Sequence, residues 1–360
     1  MSVLGEPLRA PFPWFGGKRD VAEIIWQRLG DVPNYVEPFF GSGAVMLARP
    51  HAPKTETIND ADHYVSNFWR AVQADPEAVA RHADWPVNET DLHARHWWLI
   101  TEGRQRLAML LVDPNGYCPQ VAGWWLWGTC SWIGSGFCSG KGPWWPGASG
   151  WCKAGDGESN AGLGINRQLP HLGNAGLGIN RQLPHLGNAG MGINRQSPHL
   201  GDAGRGQFII DWLTSLCARL DRVRVCSGDW SRVTGPSVTH RHGLTGVFLD
   251  PPYADTAQRT EGLYATDSLN VAHDVRRWAI EEGRNPLMRI CLAGYEGEHA
   301  MPDDWVTVQW KANGGFGSQN EDAEGVGRVN ATKERLWFSP ACIRVEKAQR
   351  SLFDLMEATP

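Results

Sequence analysis

Residues 35–45, YVEPFFGSGAV, are the stretch of sequence that decides the fold. A short apolar run leads into a glycine-rich turn, and the residues after the turn have the spacing of a helix. Strand and helix patterns alternate again over residues 207–345. This alternation predicts an α/β fold in which a mainly parallel, doubly wound sheet carries helices on its faces.

Apolar periodicity predicts where the individual elements lie. We predict helices over residues 20–29, 44–48, 62–72, 91–111, 208–220 and 271–282. We predict strands over residues 35–38, 223–226, 246–250, 287–293, 306–310 and 334–338, and one more that ends at Asn59-Asp60. Residues 113–206 break the alternation because Gly, Trp, Pro, Ser and Cys are frequent there, which indicates an insertion into the sheet.

The bulk composition indicates a soluble globular enzyme. Of the 360 residues, 42% are hydrophobic and 20% are charged, which argues against a disordered chain. No apolar run approaches the roughly 18 residues of a membrane span and no secretory signal is evident, so we expect a cytoplasmic protein with free thiols. The net charge of -5 excludes a broadly basic surface and leaves room only for a local basic groove.

Residues 247–253, VFLDPPY, place an acid, two prolines and an aromatic directly after an apolar strand. Open α/β sheets bind ligands at the carboxyl ends of their strands. Pro251 and Pro252 stiffen the turn and remove two N–H donors, so the Asp250 carboxylate stands among acceptors. Acceptors suit an exocyclic amino group, and the ring of Tyr253 suits stacking on a base. A simple proline turn that ends the strand is the alternative.

A glycine-rich turn follows the strand that ends near Glu37. Gly41 and Gly43 let the backbone approach a ligand closely, and a helix begins after them. Asp60 lies about 17 residues beyond Gly43, a spacing at which an acid suits the hydroxyl groups of a ribose. This pattern alone also fits a nicotinamide-dependent enzyme.

A third motif, FPWFGGK, lies upstream at residues 12–18. It is followed in order by residues 37–43 (EPFFGSG), by Asn59-Asp60 and by residues 250–253 (DPPY). This order resembles that of the DNA adenine-N6 methyltransferases of the DNA adenine methylase family, whose pattern is F-x-W-x-G-G-K, E-P-F-x-G-x-G, N-D and D-P-P-Y. The resemblance covers residues 8–75 and 207–340.

The resemblance implies a Rossmann-like class I methyltransferase sheet and S-adenosyl-L-methionine as the cofactor. The implied cofactor-binding residues are Trp14, Gly17, Lys18, Glu37, Phe39, Gly41, Gly43, Asp60, Asp229 and Asp250. Trp14 and Lys18 would contact the methionine end of the cofactor. Asp60 would hold the ribose hydroxyls, and Asp229 would lie near the cofactor adenine.

The implied catalytic centre comprises Asp250, Pro251, Pro252 and Tyr253, where Asp250 and Tyr253 bind the target base. The reaction would be a direct transfer of the methyl group from a sulfonium to adenine N6 of a base that has left the duplex. Because the sulfonium is already activated and the cysteines and histidines of the insertion form no C-x-x-C or other tight pair, no metal is expected.

The aspartate at the first position of the DPPY box favours adenine over cytosine. Methylation of cytosine N4 or of an RNA base remains an alternative. A rival from another class is a DNA-binding regulator or decoy with little catalytic activity. The motifs do not indicate the target sequence or the presence of a restriction partner.

The predicted organisation is a discontinuous catalytic domain, residues 8–90 and 207–345, with an inserted target-recognition region over 91–206 and a tail over 346–360. The expected partner is double-stranded DNA, with no membrane and no obligate protein partner. Seven tryptophans of the insertion are expected to form a small core of their own, namely Trp124, Trp125, Trp127, Trp132, Trp144, Trp145 and Trp151.

The insertion contains a 14-residue repeat over residues 162–203. It begins as GLGINRQLPHLGNA at residue 162, recurs unchanged at 176 and recurs with small changes at 190. One interpretation is a duplicated glycine-rich loop. Another is an array of Asn-Arg-Gln side chains, which suit DNA base edges and phosphates, and a third is a surface that binds protein partners.

Overall fold

The computed structural model describes most of the predicted catalytic domain and part of the insertion. The described residues are 8–14, 17–113, 116–132, 137–138, 144–147, 150–153, 205–252, 271–310 and 334–345. Tyr253, the repeats at 162–203 and the tail at 346–360 lie outside the described residues. Within the described ranges, no helix is long and apolar enough to cross a membrane.

Helices and strands alternate along the described chain. Helices α1 to α9 span Ala22–Leu29, Ala44–Leu47, His63–Ala74, Pro76–Ala83, Glu89–Trp98, Arg104–Leu110, Pro119–Ser131, Arg205–Leu220 and Val271–Glu282. Strands β1 to β9 span Asn34–Glu37, Thr55–Asp60, Trp144–Gly147, Gly150–Lys153, Val223–Ser227, Thr245–Leu249, Met288–Tyr295, Val306–Gln309 and Glu334–Phe338.

Seven strands form one sheet in the order β5-β2-β1-β6-β7-β9-β8. The first five run parallel, whereas β9 is antiparallel to both of its neighbours. Strands β3 and β4 form a separate antiparallel hairpin. The predicted mixed α/β architecture is therefore confirmed, and the strand order reverses between β1 and β6.

The two faces of the sheet are both covered. Alternate strand residues such as Tyr35 and Phe248 point into a large core that includes side chains of α1, α3, α7 and α8. Their neighbours Val36 and Val247 point to the opposite face, where α9 packs. Because both faces are covered, β1, β6 and β9 are buried at every residue, whereas the edge strands β5 and β8 are partly exposed.

The predicted helix over residues 91–111 is interrupted. A π-helical turn at Leu99–Gly103 separates α5 from α6. The Leu99 carbonyl accepts a hydrogen bond from the Tyr64 hydroxyl at 2.6 Å, and Thr101 Oγ1 donates to the Trp97 carbonyl at 2.8 Å. Side-chain hydroxyls thus donate to backbone carbonyls at this turn. Insertion of side chains into the helical hydrogen-bond pattern is a known cause of helix interruption.

Helix α7 was not predicted, because its Gly/Trp-rich sequence shows no apolar periodicity. Trp125 packs edge-on against Phe12 at 4.9 Å and belongs to the main core. Trp127 and Trp132 form a small cluster with Leu92. The expectation of a separate tryptophan core is therefore wrong for Trp125, because α7 lies against α3 and α4 and shares their core.

A buried ion-pair cluster joins β2 to α8 and to the segment after α2. Glu56, 1% exposed, accepts from Arg219 Nη1 at 2.6 Å and from Arg219 Nη2 at 2.9 Å. Arg49 Nη1 donates to the same carboxylate at 3.1 Å and its Nη2 to the Val32 carbonyl at 2.6 Å. The Glu56 carboxylate thus pairs with both guanidinium groups, and Arg49 Nη2 also lies 3.4 Å from Asp31 Oδ1.

We expect Glu56→Gln to lower the free energy of unfolding by about 3–5 kcal/mol, because two largely buried guanidinium groups lose the buried carboxylate that they share. Urea unfolding followed by circular dichroism measures the change. Glu77→Gln is the matched control, because Glu77 pairs with Arg81 at 3.7 Å on the exposed side of α4 and should leave the unfolding curve nearly unchanged. Equal effects of the two substitutions would contradict a structural role for the cluster.

Candidate active site

Two of the sequence motifs meet at the carboxyl edge of the sheet. Strands β1 and β6 are parallel neighbours, with Val36 opposite Val247. The glycine turn follows β1, and Asp250 follows β6. The strand order reverses between these two strands, and open α/β sheets bind ligands in the crevice outside such a reversal.

The glycine turn is tied directly to Asp60 at the end of β2. The backbone N–H of Gly41 donates to Asp60 Oδ2 at 2.8 Å, and the N–H of Asp62 donates to Asp60 Oδ1 at 2.8 Å. Gly41 has a φ of 46°, and a Cβ there would collide with the indole of Trp14. Only glycine therefore lets Trp14 lie against the turn.

Asn59 holds the neighbouring loops together. Its side-chain nitrogen donates to the Pro38 carbonyl at 3.1 Å and to the Gly228 carbonyl at 2.9 Å. Its Oδ1 is buried and has no hydrogen-bond partner among the described residues. The N–D pair thus has two functions in the structure, because Asn59 joins the loops after β1 and β5 while Asp60 presents its carboxylate to the turn.

Burial and the nearby Asp62 carboxylate raise the pKa of Asp60 to about 7. Hydrogen bonds from the backbone N–H groups of Asp62 and Gly41 oppose this shift. Asp60 consequently changes charge near neutral pH, which is unusual for an aspartate.

Asp250 forms an ion pair that the motifs did not indicate. Lys18 Nζ lies 3.0 Å from Asp250 Oδ1 and 4.0 Å from Glu334 Oε2. The ammonium also lies 6.0 Å from the centre of the Trp310 ring. Lys18 is 3% exposed, so these neighbours rather than water surround its charge.

The charged groups of this cluster perturb one another. Burial raises the pKa of Asp250, and the Lys18 ammonium opposes that shift. Burial lowers the pKa of Lys18, but the carboxylates of Asp250 and Glu334 more than offset this and leave it above its ordinary value. The cluster therefore keeps Lys18 charged despite its burial.

Glu37 is a further buried acid at this edge. Its Oε2 accepts a hydrogen bond from the Tyr35 hydroxyl at 2.8 Å. Burial, together with the charge of Asp250, raises the pKa of Glu37 well above its usual range, although the Tyr35 hydroxyl lowers it. Glu37 is thus favoured in its neutral form beside Asp250.

The structure places the remaining predicted residues around the same edge. Asp229 follows β5 and is exposed, and its Oδ1 accepts from the Ser231 N–H at 2.9 Å. Phe39 stacks on Trp230 with ring centres 6.4 Å apart. The φ of Gly43 is 63°, and a side chain there would collide with the Phe40 ring.

Gly17 is exposed, Pro251 is buried and Pro252 is half-buried. Tyr253 lies outside the described residues. Sequence motifs missed Glu334, Tyr35, Trp230 and Trp310, because each belongs to an ordinary strand or loop pattern and only the fold brings it to the site.

Comparisons with known proteins agree with the motif order. The match with a family model begins at Trp14 and extends through the glycine turn and Asp60 into α5. No curated protein matches the chain. Residues 14–93 match the family described as D12 class N6 adenine-specific DNA methyltransferase, which confirms the family resemblance indicated by the sequence.

Proposed function

We propose that this protein is an S-adenosylmethionine-dependent DNA methyltransferase that acts on adenine N6 of a flipped-out base. One observation carries the proposal: the loop after β1, which contacts Asp60, and the loop that begins with Asp250 lie side by side at the strand-order reversal. The first suits a nucleoside cofactor and the second suits an amine. The family match supports adenine in DNA as the substrate.

The strand order supports a Rossmann-like class I methyltransferase sheet. Five parallel strands with a reversal beside β1 provide the crevice for the cofactor. The proposed catalytic domain comprises residues 8–90 and 207–345, and the proposed target-recognition region comprises 91–206. Helix α7 would anchor that region, because Trp125 packs into the core of the catalytic domain.

The residues of the glycine turn fit S-adenosylmethionine. The ring of Trp14 packs directly on Gly41, whose backbone N–H donates to Asp60 and whose carbonyl accepts from Trp69. Asp60 offers a half-buried carboxylate to ribose hydroxyls. Among the described residues, the buried Oδ1 of Asn59 has no hydrogen-bond partner, and it could accept a further hydrogen bond. When bound, the cofactor would supply a methyl group activated by a sulfonium.

In this mechanism, Asp250 and the Pro251 carbonyl accept the two N–H hydrogens of the target amine. These bonds orient the nitrogen lone pair toward the methyl group and hold the base in line for transfer. On receiving the methyl group, the target nitrogen would become positively charged and would have to lose one of its two protons. The Asp250 carboxylate is placed to accept that proton, and its raised pKa favours this.

We expect Asp250→Ala to reduce methyl transfer by about 100-fold or more, because the amine loses its charged acceptor. The measurement is tritium transfer from labelled cofactor to duplex DNA from a methylation-deficient strain. Mass spectrometry of the digested DNA should show N6-methyldeoxyadenosine. Glu77→Ala, which changes an exposed acid of α4, is the control and should retain full activity. Equal incorporation by Asp250→Ala and the unsubstituted protein would contradict the mechanism, and N4-methyldeoxycytidine would assign the other base.

The affinity for S-adenosylmethionine should rise with pH through about 7, the pKa of Asp60. Below that pH the carboxyl group is protonated and loses acceptor capacity for the ribose hydroxyls, so binding at pH 6 should be about tenfold weaker than at pH 8. Isothermal titration calorimetry at both values measures the change. Asp60→Asn should bind weakly at both values, and a flat profile in the unsubstituted protein would rule out this role for Asp60.

A further inference from the structure

Glu334 is a buried acid that belongs to none of the motifs. It is 5% exposed and begins strand β9, opposite Tyr295 of β7. The backbone N–H of Trp310 donates to the Glu334 carbonyl at 3.3 Å, and Arg335 Nη1 donates to the same carbonyl at 2.9 Å. The backbone of Glu334 is therefore held in place, and its carboxylate faces the Lys18 ammonium.

Lys18 must keep a negative partner wherever its ammonium lies. A charge that is 3% exposed has almost no access to water, and leaving it unpaired would be costly. Among the described residues, two carboxylates lie within 4.0 Å of the ammonium, Asp250 at 3.0 Å and Glu334 at the longer distance. Glu37, a third acid at this edge, accepts a hydrogen bond from the Tyr35 hydroxyl at 2.8 Å.

The contact between Lys18 and Asp250 weakens the carboxylate as an acceptor for an amine. In the proposed function, Asp250 accepts a hydrogen from the target nitrogen, but the ammonium already donates to Oδ1 at 3.0 Å. The carboxylate has lone pairs for both donors, but a cation on it reduces its strength as an acceptor for a neutral amine. The amine is therefore held more strongly when the ammonium moves away.

We propose that Glu334 is a positioning residue that receives the Lys18 ammonium while Asp250 holds the target amine. This role rests on the proposed function, because it requires an amine at Asp250. The lysine side chain has four rotatable bonds, and a shift of about 1 Å would bring its ammonium to ion-pair distance from Glu334. The Trp310 ring, 6.0 Å from the ammonium, adds a cation–π contact on the same side. No proton moves in this exchange.

A double-mutant cycle tests the exchange. Glu334→Gln should lower kcat/KM for duplex DNA about tenfold when Lys18 is present, because the ammonium then loses the carboxylate proposed to receive it. In a Lys18→Met background the same substitution should lower kcat/KM by less than about twofold. Affinity for S-adenosylmethionine should not distinguish Glu334→Gln from the unsubstituted protein. Glu298→Gln is the matched control, since Glu298 is a buried acid whose Oε2 accepts from the Tyr295 N–H at 2.8 Å.

If Glu334 had only a structural role, Glu334→Gln would lower kcat/KM equally with Lys18 present and in the Lys18→Met background. That result would overturn the proposal. A crystal structure of Asp250→Asn provides a readout that needs no activity. With the charge of Asp250 removed, the distance from Lys18 Nζ to Glu334 should shorten from 4.0 Å to about 2.9 Å. If the Lys18 ammonium stays in contact with residue 250 in the Asp250→Asn structure, the proposal is also overturned. This readout holds even if Lys18→Met is inactive.

The two proposals fail in different ways. Absence of methyl transfer by the unsubstituted protein would reject the proposed function, whereas the Asp250→Asn structure would still show whether Glu334 can receive Lys18. Normal methyl transfer by the unsubstituted protein and by Glu334→Gln alike would leave the proposed function intact and reject the exchange.

Discussion

The parallel pairing of β1 with β6 is the constraint on which the candidate site depends. These strands are about 200 residues apart in the chain, so only the sheet brings the glycine turn next to Asp250. Buried polar contacts at the other end of β1 help to fix the alignment. Asn34 Nδ2 donates to the Val238 carbonyl at 2.8 Å and to Thr245 Oγ1 at 3.0 Å. A one-residue slip would break these bonds and turn the strand's side chains to the opposite faces.

Most of the α/β framework could be predicted from periodicity, because its strands are apolar and its helices amphipathic. Helix α9 and strand β9 have the predicted bounds. Helix α4 was missed although Asp75-Pro76 is a start signal: Asp75 Oδ1 accepts from the Ala78 N–H at 3.0 Å. Helix α7 was hidden because its tryptophans and glycines give no polar face, since the helix is buried nearly all round.

The motifs predicted which loops form the candidate site, but they could not predict its ion pairs. The local sequence indicates which residues end a strand, and this was enough to predict that Asp60 and Asp250 lie at the carboxyl edge of the sheet. The partner of a buried charge depends on strands that are distant in sequence. Glu334 and Lys18 meet only because β9 inserts antiparallel between β7 and β8. Lys18 belongs to a motif and Glu334 does not, but neither local pattern shows that the two side chains are buried together.

The balance of charge at this edge has a consequence for the kind of ligand that fits it. Asp250 and Glu334 surround a single ammonium, and Glu37 lies close enough for the Asp250 charge to raise its pKa. In a medium of low dielectric constant, an excess of carboxylates over cations is unfavourable until another positive charge arrives. A sulfonium carries such a charge and cannot lose it by deprotonation, whereas the thioether left after methyl transfer is neutral. The same excess of negative charge would therefore favour the charged donor over its product, which links the electrostatics of this cluster to turnover in the proposed reaction.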